Sequence, residues 1–249
     1  MSRIPLQESE EPIMYYNEND SRYGGYMGQQ TLTYNQYLTR TFGWMGLGLL
    51  VTFGLAFATA FTPLLYTVVS LYLPITIAEL VLVFVLSARV QHIRVGTARA
   101  LFLAYSALNG LMLSCYFVIF DLSSMVMALL AAGLYFGVMA AYGALTQRDL
   151  SGWGSKLSIA LIALLICSFV GMLFGMGFIT SMLYSAIGLA IFMLLTAYDT
   201  QMLQHYYSYY SLQGDMLEKS AIFGALSLYL DFINIFLFVL RLFGSRSDN

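Results

Sequence analysis

The 249 residues are 59% hydrophobic and only 10% charged, with 13 acidic against 11 basic side chains and a formal charge of −2. With a mean hydropathy of +0.75, this composition excludes an ordinary water-soluble domain and points to an integral membrane protein. No excess of basic residues calls for a nucleic-acid partner.

The chain opens with a polar tail, residues 1–37, whose stretch "YYNENDSRYGGYMGQQTLTYNQY" is rich in Tyr, Asn, Gln and Gly and lacks apolar periodicity. It reads as disordered or loosely attached to the membrane surface, with binding of a partner protein as the sharper alternative. It has no basic stretch followed by an apolar run and a small-residue cleavage site, so it does not read as a signal peptide. Beyond it, no Lys, Arg, Asp or Glu occurs from Thr41 to Ala78, Ala100 to Phe120, Leu122 to Gln147 or Leu157 to Tyr198. A spanning helix needs about 20 apolar residues, so the two longest of these stretches each hold two. Breaks at "FTPLL" (Phe61 to Leu65) and "GMGFIT" (Gly175 to Thr180) give seven spans, near 41–61, 67–88, 100–120, 124–145, 157–178, 181–203 and 221–241. The runs are apolar on every face, which is not the alternation of an outer-membrane barrel. The expected fold is an all-α polytopic membrane protein with seven transmembrane helices, followed by a short tail, 245–249.

Placing the N-terminus in the cytoplasm puts nine of the eleven basic residues on that side (Arg3, Arg22, Arg40, Arg89, Arg94, Arg99, Arg148, Lys156, Lys219) and leaves Arg241 and Arg246 outside. Cys115 and Cys167 fall within spans and read as small buried apolar residues rather than a disulfide. In the connection "TQRDLSGWG", Thr146 to Gly154, Arg148 reads as a helix-end charge and Asp149 as a turn or capping residue, with a partner-docking loop as the alternative.

Enzyme chemistry has little to work with. There is no H-E-x-x-H pattern, and His92 and His205 sit in or near loops far apart in the chain. A retinal protein needs a Schiff-base lysine within the last span, whereas Lys219 stands at its threshold. Ionisable residues inside or at the ends of spans are the better candidates, since each costs at least about 2.5 kcal/mol to insert and must face protein or water. These are Glu79, Asp199 and Asp231, with Arg89 near the end of the second span. Asp231 has Ser227 four residues before it and Asn234 three after, which makes a polar stripe on the last helix. Such a stripe also serves as hydrogen-bonding glue between helices. If the last two spans are neighbours joined by "QHYYSYYSLQGDMLEK", Asp199 and Asp231 come to the same end of the bundle. They could then share a proton, or bind a hard cation such as Ca2+ when ionised.

The stretches "LTAYDTQ" (Leu195 to Gln201), "GALSLYLDFINIFLFVLRLFG" (Gly224 to Gly244) and "TQRDLSGWG" together resemble the Bax inhibitor-1 family, its bacterial inner-membrane branch above all. The resemblance runs from about Leu38 to Gly244 and includes "PITIAELVLVFVLSARV" and "SALNGLMLSCYF". It implies six helices around a central seventh and a pH-sensitive calcium leak through the bundle. It also implies that Asp199 and Asp231 pair as the proton sensor, that Arg89 latches the closed state and that Glu79 lies along the conduction path. The stripe residues Ser227 and Asn234 are read as further pore or gate candidates. No cofactor is implied; Ca2+ and H+ enter as bound or transported ions. Two other functions remain open: a non-conducting regulator that binds a membrane protease or a stress or cell-death component, and a proton-coupled cation antiporter.

Overall fold

The computed structural model describes residues 32–90, 92–174 and 182–245. Most of the expected tail, the Gly175 to Thr180 break and the last four residues lie outside the described residues. Within them the chain forms α1 (Tyr34–Ala60), α2 (Leu64–Ser70), α3 (Tyr72–Arg89), α4 (Val95–Ser114), α5 (Tyr116–Ile119), α6 (Leu122–Leu145), α7 (Gly154–Leu173), α8 (Met182–Tyr210) and α9 (Gly214–Phe243), with a 3-10 turn at Ser151–Trp153. Seven segments are long and apolar enough to cross a membrane: α1, α3, α4 with α5, α6, α7 with its preceding turn, α8 and α9.

Local chemistry sets the helix ends. Thr33 and Gln36 form a capping box at the start of α1, each side chain bonding the other's backbone N–H. Asp121 caps α6 by accepting from the Ser124 N–H at 2.9 Å, which holds its carboxyl below the usual range through bonds from Ser124. Pro63 precedes α2 and Pro74 falls in the first turn of α3, where a missing N–H costs nothing.

α9 is the buried helix. Of its most apolar window 72% is buried, against 39% for α8 and 6% for α3. Its main neighbours are α1, α4, α6 and α8, while α3 packs on α4 and α7 on α8. Where six surrounding helices were expected, four thus make most of the wall and two stand further out. Close approach needs small residues at the crossings. A Cβ on Gly143 of α6 would run into the Ala197 carbonyl of α8, one on Gly188 into the Phe238 ring, and one on Gly110 of α4 into the Thr52 backbone of α1.

Several boundaries differ from those expected. α1 begins at Tyr34, inside the stretch read as tail, because the Thr33 cap starts it. α8 continues through "QHYYSYY" to Tyr210, which leaves only 211–213 as the connection, and His205 is an exposed helical residue rather than a loop one. The tyrosines favour this continuation by packing: Tyr206 against Phe223, and Tyr207 against Tyr34 and Tyr37. α9 starts at Gly214 rather than near 221, with Asp215 in its first turn complementing the helix dipole and Leu217 and Ile222 buried. Neither cysteine is buried: Cys115 is half-buried at the α4–α5 break and Cys167 is exposed on α7.

The α6–α8 crossing generates a test. Gly143→Ala is expected to lower the thermal midpoint of the detergent-purified protein by several degrees, since overpacking costs about 1–3 kcal/mol. Gly137→Ala, where a Cβ meets nothing within 4 Å, should leave the midpoint unchanged or raise it. Equal effects of the two in a thermal-shift assay would refute the close crossing.

Candidate functional site

The register of α8 against α9 brings the two aspartates together. Tyr206 meets Phe223 with ring centroids 5.9 Å apart, and Phe192 lies 5.9 Å from Phe238. Both Asp199 and Asp231 lie about two turns in from each of these contacts, so they face each other across an antiparallel pair. Because α8 runs on to Tyr210, Asp199 stands ~16 Å from the helix end, well away from the negative pole of the helix dipole. Asp231 is 2% exposed and Asp199 half-buried. The two carboxyls interact electrostatically, and Thr196, whose hydroxyl bonds the Phe192 carbonyl at 2.9 Å, also reaches Asp231. Asp231 Oδ2 is buried with no hydrogen-bond partner.

Among the described residues no cation pairs with either aspartate. No third His, Cys, Asp or Glu joins them into a metal-ligand set either. Two carboxylates and a hydroxyl offer fewer oxygens than the about six to eight of a resident Ca2+ site. The donor set suits a proton or a transient, partly hydrated cation.

The polar stripe of α9 divides. Its half-buried positions are Phe223, Ser227, Leu230, Asn234, Leu237 and Arg241, spaced by three and four, while the residues between them are buried. Ser227 and Asn234 therefore lie on the one partly open seam of the helix and Asp231 is turned inward. Asn234 donates to the Leu230 carbonyl at 2.8 Å, so Thr196, rather than Asn234, gives Asp231 its side-chain company. At the end where α9 starts, the seam leads into a cleft of about 320 Å3 between Ser87 of α3 and Val90 just past its end, Tyr206 and Tyr210 of α8, and Ser220 and Phe223 of α9. At the far end Arg241 donates to the Tyr116 hydroxyl at 3.2 Å.

A second polar centre occupies the opposite face of α9, and sequence reasoning found only one of its members. The Thr52 hydroxyl donates to the Ser106 carbonyl at 2.8 Å, so the Tyr229 hydroxyl, 2.6 Å from Thr52 Oγ1, must be the donor in that contact. Tyr229 packs edge-on to Phe102 and Tyr105, and Asn109 donates to the Tyr105 hydroxyl at 3.4 Å. Glu79 of α3 interacts electrostatically with Tyr105 and Tyr229, and its Oε1 is buried without a hydrogen-bond partner. Glu79 thus faces the protein as expected, but apart from the aspartates. The only signal for Tyr229 was its place two residues before Asp231, which puts it across the helix.

Arg89 is exposed in the last turn of α3, beside the cleft, and pairs with no acid among the described residues. The ion pairs there belong to Glu218 of α9, which holds Arg40 of α1 and Arg99 of α4 at 2.7 Å each. Gln201, two residues past Asp199, straps the 146–153 connection to α8 by accepting from the Leu150 N–H at 2.7 Å and donating to the Arg148 carbonyl at 2.9 Å. Asp149 accepts from the Ser151 N–H at 2.8 Å and so is the turn residue expected.

Seven apolar helices, with a pair of carboxylates where α8 meets α9, define a polytopic membrane protein. Residues 34–248 match the family described as Inhibitor of apoptosis-promoting Bax1. "Inner membrane protein YbhL" of Escherichia coli K12 is 40% identical over 216 residues, 84% of this chain and 92% of its own length. An uncharacterized protein of Deinococcus radiodurans is 39% identical over 211 residues, 84% and 90% of the two chains, and one of Borreliella burgdorferi is 35% identical over 229, 89% and 97%. The chain belongs to the Bax inhibitor-1 family.

The Tyr229 to Thr52 bond can be weighed directly. Tyr229→Phe should cost about 1 kcal/mol of folding stability in detergent, because Thr52 keeps its own acceptor. A double-mutant cycle with Thr52→Val should return a coupling of about 0.5–1.5 kcal/mol. A coupling near zero would mean that the bond does not hold α1 to α9.

Proposed function

We propose that this protein is a pH-sensitive cation leak channel of a bacterial inner membrane, with Ca2+ as the conducted ion and the N-terminus in the cytoplasm. The observation that carries the reading is the pair Asp199 and Asp231, brought face to face by the α8–α9 register, with one buried Asp231 oxygen lacking a partner. A buried and a half-buried carboxylate that face each other without a basic partner among the described residues are charge-balanced by a proton or a cation. Proton and cation therefore compete for one site, and that competition couples permeation to pH.

The open seam of α9 gives such a site its route. Ser227 and Asn234 line it beside the pair, Glu79 presents an unpartnered oxygen from α3, and the cleft at the start of α9 leads toward Tyr206, which interacts electrostatically with Asp199. Arg89, next in sequence to the cleft residues Ala88 and Val90, would act as an exposed gate charge. Membership in the family supports the reading, and the printed name of the E. coli relative supports the membrane assigned.

The test is Ca2+ flux into proteoliposomes across a pH series, with wild type, Asp199→Asn, Asp231→Asn and the double variant. Passive flux that varies with pH in the wild type and loses that variation in either single variant is expected. Uphill Ca2+ movement driven by an H+ gradient would make the protein an antiporter. Absence of wild-type flux at every pH would leave the aspartates a structural pair and turn attention to a bound protein partner.

A further inference from the structure

Between α6, α7, α8 and the 146–153 connection lies a pocket of about 210 Å3 that the conduction reading does not use. Its walls carry Tyr142, Trp153 and Tyr198, the charged pair Arg148 and Asp149, and Leu194. Tyr142 is 45% exposed and Trp153 48% exposed. Arg148 and Asp149 stand just beyond the end of α6 at Leu145, so the pocket lies where a spanning helix gives way to the connection. In a bilayer that is the headgroup level, the depth at which Trp and Tyr concentrate.

We propose that this pocket binds the headgroup of an aminophospholipid, phosphatidylethanolamine, from the surrounding leaflet. The chemistry of the walls selects it. The Arg148 guanidinium matches a phosphate oxygen pair, and Lys156, whose ammonium lies 5.5 Å from the Trp153 ring centroid, adds positive charge beside it. A purely anionic lipid would be served by these cations alone, but the pocket also carries an acid. Asp149 accepts from the Ser151 backbone N–H, which holds its carboxyl below the usual range and keeps it ionised at neutral pH. A primary ammonium satisfies that carboxylate and the aromatic faces of Tyr142 and Trp153 together. A choline group presents no N–H to Asp149, and a glycerol headgroup presents no charge to it. Leu194 continues the pocket onto the apolar helix surface, where the acyl chains run. His205, exposed on α8, also interacts electrostatically with Asp149.

The two tryptophans, Trp44 and Trp153, make the site measurable without reference to ion flux. In Trp44→Phe protein reconstituted into nanodiscs, Trp153 fluorescence is read with acyl-brominated phosphatidylethanolamine, phosphatidylcholine or phosphatidylglycerol at one mole fraction. Quenching by the ethanolamine lipid should exceed that by the other two by about threefold in apparent affinity, the factor one interfacial ion pair supplies. Asp149→Asn keeps an acceptor for the Ser151 N–H and removes the charge, so the turn survives while the preference for ethanolamine over glycerol should vanish. Arg148→Gln should weaken ethanolamine and glycerol lipids alike. Equal quenching by all three lipids in the parent protein would reduce the pocket to ordinary lipid contact and overturn the proposal. Stronger quenching by phosphatidylglycerol would assign it to anionic lipid instead, and displacement by soluble phosphoethanolamine would assign it to the free headgroup.

Discussion

A carboxylate in the middle of a membrane-crossing helix must be kept from lipid, and the rest of this structure follows from meeting that constraint at Asp231. Exposure to hydrocarbon would cost at least about 2.5 kcal/mol even on permissive scales. The helix that carries it is accordingly the most enclosed of the seven, with α8 and α6 on the side of the acid and α1 and α4 on the other. Enclosure of that kind depends on backbones coming close, since lipid supplies no hydrophobic drive between apolar helices. Gly143, Gly188 and Gly110 stand where a side chain would collide with the neighbouring helix. The glycines and the buried aspartate are two parts of one arrangement.

The two faces of α9 differ in what can disturb them. On the side of α1 and α4, Tyr229, Thr52 and the Ser106 carbonyl form a chain of neutral groups with every proton placed, and neutral hydroxyls do not change charge over the physiological range. On the side of α8, two acids meet without a basic partner among the described residues. The titratable groups of α9's surroundings are thus concentrated at the α8–α9 contact, while the Tyr229 chain is made of neutral hydroxyls. Glu79 is the exception on the neutral side. It reaches Tyr105 and Tyr229 from α3, a helix that packs chiefly on α4 and is only 6% buried over its apolar window.

Span number and the presence of acids within or at the ends of spans were legible in the sequence because both are properties of short windows. A run without charge is a span, and an acid within one needs a reason. What could not be read were encounters between distant positions. Tyr229 meets Thr52 across 177 residues, and Glu218 meets Arg40 across 178, distances at which one sequence carries no pairing signal. The end of α8 was misread for a local reason. "QHYYSYY" is polar in composition and looks like a loop, yet it contains no Gly or Pro, and its tyrosines gain ring contacts with α1 and α9 by staying helical.

That extension changes the chemistry of Asp199. At the end of a helix the carboxylate would face the negative pole of the dipole and reach water easily, and it would make a poor partner for a buried acid. Carried ~16 Å inward by eleven further helical residues, it is held level with Asp231, and Gln201 one half-turn later fastens the same stretch of α8 to the 146–153 connection. The stretch of α8 that follows Asp199 is thus fastened twice, by the Gln201 amide strap and by tyrosine packing beyond it. A shift of α8 along α9 would carry Asp199 away from Asp231 and take the 146–153 connection with it.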